Sequence, residues 1–223
     1  MAIGVKYKTV ADWLEIGCLI LDADDEAIAE GYPWKLVDAM RAKLEDKYTA
    51  FKEAATKAEC SGSAYDTSIK EKRRLAKEGR DATTTLAVYI ENAFLDKAAS
   101  INHLLLLDLK FPTDDEDLKE HLKSVCSAID KLDPVAYPLP AMFTDPVFAI
   151  RDDFERALPQ VTDYFEDRRT AIQDRNIAMN DFKALLKPIR MWLWKMLPQG
   201  RRDTRLIGYG FTPYGTHHKK EEE

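Results

Sequence analysis

The chain has 223 residues and a formal net charge of -6, with 45% hydrophobic, 10% aromatic and 32% charged residues. That composition supports a real core and disfavours whole-molecule attraction to nucleic acid or anionic lipid. Only nine glycines accompany the high charge, which favours long solvated helices over compact sheet.

Thr9 with Asp12 three residues later reads as a helix start, and Val10, Trp13, Leu14, Gly17 and Leu21 follow at helical spacing. "EGYP" at Glu30 to Pro33 stops this element, and Pro33 suits the opening turn of the next. Val37, Leu44, Phe51 and Ala58 are then spaced by heptads, flanked by Met40, Tyr48 and Ala55. "ECSGSAYD" is expected to break the run at Gly62. A second stripe, Leu75, Gly79, Ala82, Leu86, Tyr89 and Ala93, would complete an antiparallel helical hairpin. Its small residues, Gly79, Ala82 and Ala93, would let a partner helix approach closely.

Thr113 with Glu116 opens a further helix, with Leu118, Leu122, Val125, Ile129 and Leu132 on one face. "DPVAYPLPAMFTDPV", with four prolines, reads as a stiff connector. The last helical region, from Asp145 to Leu197, carries three apolar columns. One runs Val147, Phe154, Val161, Arg168, Arg175, Phe182, Ile189 and Met196. The second includes Ile150, Ala157, Tyr164, Ala171, Ala178, Leu185 and Trp192. The third includes Leu158, Phe165, Ile172, Met179, Leu186 and Leu193. Three columns per heptad indicate a helix packed among several others. Pro159 and Pro188 are expected to kink or divide it.

The expected fold is all-α: an elongated up-and-down bundle of four or five long helices. A single domain is expected over 1–197, followed by an irregular aromatic tail over 198–223.

The chemistry searched for is mostly absent from the sequence. No Glu-x-x-His pair accompanies His103 or His121, so a carboxylate-bridged metal site is not expected. Cys18, Cys60 and Cys126 are scattered and lack CxxC spacing, which predicts reduced thiols and neither disulfide nor zinc. No phosphate-binding glycine loop or nucleophile elbow occurs, and "GYGFTPYG" lacks a flanking strand and helix. No catalytic residue, metal or cofactor is predicted. The N-terminus has no apolar signal-peptide core and "LLLLDLKF" is too short to span a bilayer, so a cytoplasmic location is expected.

Two features remain as candidate binding elements. Arg168 and Arg175 interrupt an apolar column one heptad apart. They are expected either to pair with carboxylates or to hold an acidic ligand. At the end of the long helix, Met191, Trp192, Leu193, Trp194, Met196 and Leu197 are apolar all round and demand cover. Tyr209, Phe211 and Tyr214 of the tail are the expected cover, on the same chain or a neighbour. A membrane surface is the further option, given Lys187, Arg190, Lys195, Arg201 and Arg202 nearby. The tail holds five Lys or Arg from Arg201 to Lys220 against one Asp, interleaved with those aromatics. That is the composition of a single-strand nucleic-acid binder, which the overall acidity disfavours.

The leading expectation is a non-enzymatic scaffold or adaptor that self-associates or docks another protein. The alternatives are a ligand-binding or enzymatic bundle with a pocket near Arg168 and Arg175, and a peripheral membrane or nucleic-acid binder acting through the basic tail.

Overall fold

In the computed structural model, residues 9–214 are described, and among them every regular element is helical. The N-terminal stretch 1–8, Gly215 and the "KKEEE" end lie outside the described residues.

Helix α1 spans Val10–Ala29. Its capping box is formed as the spacing predicts: the Asp12 N–H donates to Thr9 Oγ1 at 3.2 Å and the Thr9 N–H to the Asp12 carboxylate at 2.9 Å. Its inner face buries Ile16, Ile20 and Ala27. At Gly17 a Cβ would lie 2.2 Å from Tyr48 Cδ2, so only glycine admits that ring. Gly31, with φ at 68°, ends the helix in the left-handed region.

Helix α2 spans Asp38–Phe94 and so begins five residues later than Pro33 suggests. The reason is tertiary. Asp24 of α1, 0% exposed, takes the Leu36 N–H at 2.6 Å, and Ala27 O takes the Tyr32 N–H at 2.8 Å. These bonds hold residues 32–36 as a strap along α1. The expected break at Gly62 is also overturned: α2 runs through it without interruption. One glycine in a helix costs only about 1 kcal/mol relative to alanine, and no proline accompanies it to stop the ladder.

Helix α3 is short, Ala98–Leu104, and α4 spans Asp115–Lys131. The α4 cap is Asp114, not Thr113: its carboxylate accepts the Glu116 N–H at 3.0 Å. Helix α5 spans Ala141–Met196, starting inside the proline-rich connector and four residues before Asp145. The Pro140 carbonyl accepts the Phe143 N–H at 2.9 Å, so this proline sits at the helix entrance, where its missing donor matters least. Pro159 and Pro188 do not divide α5. Both are exposed, as are Glu155 and Ala184, whose carbonyls lose their partners, so water can satisfy those groups.

The chain divides into two compact units: residues 9–60 with 169–214, and residues 61–168. The first unit is built on one core that includes Ile16, Ile20, Leu44, Phe51, Phe182, Leu186, Ile189 and Leu193. Phe51 and Phe182 stack there at 5.8 Å. Arg41 clamps its α1–α2 corner, reaching Asp24 at 2.9 Å, Asp25 at 2.6 Å and Glu45 at 2.9 Å. Burial works against the Arg41 charge, and hydrogen bonds to Asp25, Asp24 and Glu45 outweigh it and raise its pKa.

The second unit holds two clusters, one around Leu86, Ile90, Ile101, Val125 and Val147, the other around Leu75, Leu118, Leu122 and Phe154. Gly79 lies where Ile150, Leu122 and Phe111 converge, each within 3.6 Å of a notional Cβ, so close approach at this glycine is real. Ala93 is exposed and plays no such part.

Candidate functional site

The richest surface of the first unit lies where the end of α5 meets the start of α2 and the segment 198–214. Two 3-10 turns, Gly200–Arg202 and Thr204–Ile207, reverse the chain after α5. Asp203, 2% exposed, organises the reversal: its carboxylate accepts the Gln199 N–H at 3.2 Å and the Arg205 N–H at 3.0 Å. Leu206, Tyr209 and Phe211 then enter the same core as α1, α2 and α5. Gly210, with φ at 72°, turns the backbone against Ile16 and Leu19 of α1.

The aromatic candidates separate here. Tyr209 and Phe211 are buried, each 2% exposed. Burial pushes the Tyr209 phenol well above its ordinary pKa, reinforced by Asp24 and Glu26, and its hydroxyl is buried without a hydrogen-bond partner. Tyr214 is 69% exposed, so it does not cover the helix end. Its backbone is held, with N–H donated to Arg201 O at 2.6 Å, but its ring faces water.

Trp192 and Trp194 pack, partly buried, against the core that also holds Tyr209 and Phe211, and polar groups dress their rings as well. Trp192 Nε1 donates to the Lys35 carbonyl at 3.1 Å, docking α5 onto the strap before α2. The Trp194 ring has the Arg190 guanidinium 4.8 Å from its centroid and that of Arg201 4.6 Å away. Arg205 lies 4.5 Å over Trp34, which stacks on Tyr32 at 4.3 Å. Lys183 sits 4.3 Å over Trp13, and burial lowers its pKa. The roles of Trp34, Arg205 and Asp203 escaped sequence reasoning. The alternation of basic and aromatic residues was visible, but which cation meets which ring depends on chain reversal at Gly200.

A groove of about 510 Å³ opens beside Trp192, lined by Met40, Lys187, Pro188, Met191, Trp192 and Lys195. Met191 is 48% exposed. Neither Lys187 nor Lys195 has a carboxylate partner among the described residues. A smaller cavity of about 170 Å³ lies between Tyr32, Trp34, Arg205, Tyr209 and the end of α1.

Arg168 and Arg175 fall in different units. Arg168 is 3.7 Å from Asp66 and 5.2 Å over the Tyr65 ring, at a side-chain exposure of 39%. Arg175 bonds the side-chain carbonyl of Asn176 at 3.0 Å and meets no carboxylate among the described residues. Neither lines the cavities described above.

Among the described residues no group of three or more His, Cys, Asp or Glu is placed to hold a metal, and no helix is long and apolar enough to cross a membrane. His121 packs edge-on against Phe111 at 5.6 Å, and burial lowers its pKa. His103 bonds Asp108 at 2.9 Å in an exposed pair. Comparison of the sequence with family models, with curated proteins and with solved structures finds no match.

Proposed function

We propose that this chain is a non-enzymatic adaptor whose helical units present the groove beside Trp192 to a partner protein. The observation that carries this reading is the chemistry of that groove: an apolar floor of Met40, Pro188, Met191 and Trp192, edged by Lys187 and Lys195. An exposed methionine beside a half-buried tryptophan gives an adaptable apolar surface. Two lysines with no carboxylate partner among the described residues select the charge of what lies on it. The fitting occupant is an amphipathic helix with apolar residues at i, i+3 and i+7 and acidic residues flanking them. In this reading each unit is a helical bundle that holds its surface rigid, and catalysis plays no part.

The test is fluorescence anisotropy with a labelled designed amphipathic peptide carrying Glu flanks, against the same peptide with Lys flanks. The acidic peptide should bind and the basic one should not. Lys187→Gln with Lys195→Gln should weaken binding about tenfold or more, since rim charges act through steering and complementarity. Equal binding of both peptides, or none of either, sinks the adaptor reading. Light scattering on the same samples reports whether a second copy takes the groove instead. Flotation with anionic vesicles tests the membrane alternative.

A further inference from the structure

Four observations converge on Trp194. Arg190 and Arg201 both lie within 5 Å of its ring centroid, at 4.8 and 4.6 Å. Neither arginine has a carboxylate partner among the described residues. Arg190 Nε and Trp194 Nε1 are both buried donors without an acceptor. The buried acid of the same chain reversal, Asp203, is already engaged by the Gln199 and Arg205 N–H groups and by Arg205 Nε at 3.4 Å.

Buried donors are almost always satisfied. An orphaned indole N–H and one orphaned N–H of the Arg190 guanidinium, beside a second arginine that also has no carboxylate partner among the described residues, therefore call for an acceptor that carries negative charge. The backbone builds this arrangement. Gly200, with φ at 55°, accepts a reversal that L side chains resist, and its Cβ position lies 3.2 Å from the Trp194 carbonyl. That reversal carries Arg201 back over the ring it follows by seven residues, and the Tyr214 N–H holds the Arg201 carbonyl at 2.6 Å.

We infer that Arg190, Arg201 and the Trp194 indole N–H form a binding site for a phosphate-type oxyanion. Two cations with no counter-charge among the described residues match a dianion better than a monovalent carboxylate. Guanidinium groups suit it because their forked donors meet two oxygens at once, whereas a lysine offers a point charge. The indole N–H supplies a neutral donor that fixes orientation. The site is independent of the groove beside Trp192, whose lysines take no part in it.

The probe is inorganic phosphate, titrated at constant ionic strength and followed by tryptophan emission and calorimetry. Saturable binding of phosphate, with acetate at least tenfold weaker, is expected. Arg201→Gln, on the exposed side of the site, should lower phosphate affinity about tenfold or more while the chain keeps a cooperative melting transition without phosphate, lowered only by the loss of one cation–π contact. Arg202→Gln, one residue on, should bind as the unaltered chain does. Trp194→Phe should lose the emission response and weaken binding in calorimetry. Phosphate binding that persists unchanged in Arg201→Gln, or no saturable binding in the unaltered chain, overturns the inference. Competition by vesicles containing phosphatidic acid would assign the oxyanion to a lipid headgroup, and absence of competition would assign it to a soluble phosphate. The Lys187→Gln, Lys195→Gln variant should keep full phosphate affinity, so failure of the adaptor reading and failure of this one are read separately.

Discussion

Removing Arg41 tests the account of how the first unit is held at its α1–α2 corner. Asp24 is 0% exposed, with one oxygen on the Leu36 N–H at 2.6 Å and the other on Arg41 at 2.9 Å. Arg41→Ala leaves that carboxylate buried with a single donor. Stranding one partner of a buried pair costs about 3–5 kcal/mol. The Arg41 side chain is 22% exposed, so water entering its place softens the loss, and about 3 kcal/mol is the expected value. Glu45→Ala removes a contact to the same arginine from a residue whose side chain is 48% exposed, and about 0–1 kcal/mol is expected. The assay is urea unfolding followed by tryptophan emission. All four tryptophans, Trp13, Trp34, Trp192 and Trp194, belong to the first unit, so the signal reports that unit alone. Asp24→Asn combined with Arg41→Ala should cost less than the sum of the two single changes, because the second removes a charge the first no longer needs to meet. An Arg41→Ala loss no larger than that of Glu45→Ala would refute the clamp.

Gly17→Ala adds helix propensity worth about 1 kcal/mol, yet its Cβ would meet the Tyr48 ring at 2.2 Å. Tyr48 is itself held by the Cys18 thiol at 2.9 Å and packed on Phe182, so we expect net destabilisation by up to about 2 kcal/mol in the same urea assay. Because burial lowers the folded-state pKa of His121 below its ordinary 6.5, the unfolded chain binds more protons between those two values. Its contribution is therefore complete above pH 6.5 and declines as pH falls towards the folded pKa. His121→Phe should flatten that part of the stability–pH curve, measured by circular dichroism. Deleting the chain after Arg205 removes Leu206, Tyr209 and Phe211 from the core, each worth about 1.5–3 kcal/mol when buried. The truncated protein should melt lower and emit further to the red. Arg168→Ala should change stability by only about 0–1 kcal/mol, since its pair with Asp66 is exposed and 3.7 Å long.

Local physics was enough to give the helical class. The Thr9–Asp12 box forms from residues three apart, and the four-three spacing of Leu118, Leu122 and Val125 records which side of α4 is buried. These features depend on neighbours within one or two turns, and such neighbours are written next to each other. Phe51, Phe154, Phe182 and Leu193, read as core columns, are all fully buried for the same reason.

Long-range contacts decided the rest. Pro33 could not open α2, because Asp24 and Ala27 claim the backbone of the strap that follows it. Gly62 could not end the helix, since breaking needs a competing conformation stabilised from elsewhere and none is present. The same separation governs the charges. Arg168 and Arg175 stood out because they interrupt an apolar column, yet their partners are ordinary: an exposed aspartate and a neighbouring asparagine. Arg190 and Arg201 look like routine basic residues in the sequence. Only the reversal at Gly200 brings both to one indole, with no carboxylate partner for either among the described residues. A sequence carries its charges in order along the chain, but which of them are neutralised is a property of distances in three dimensions.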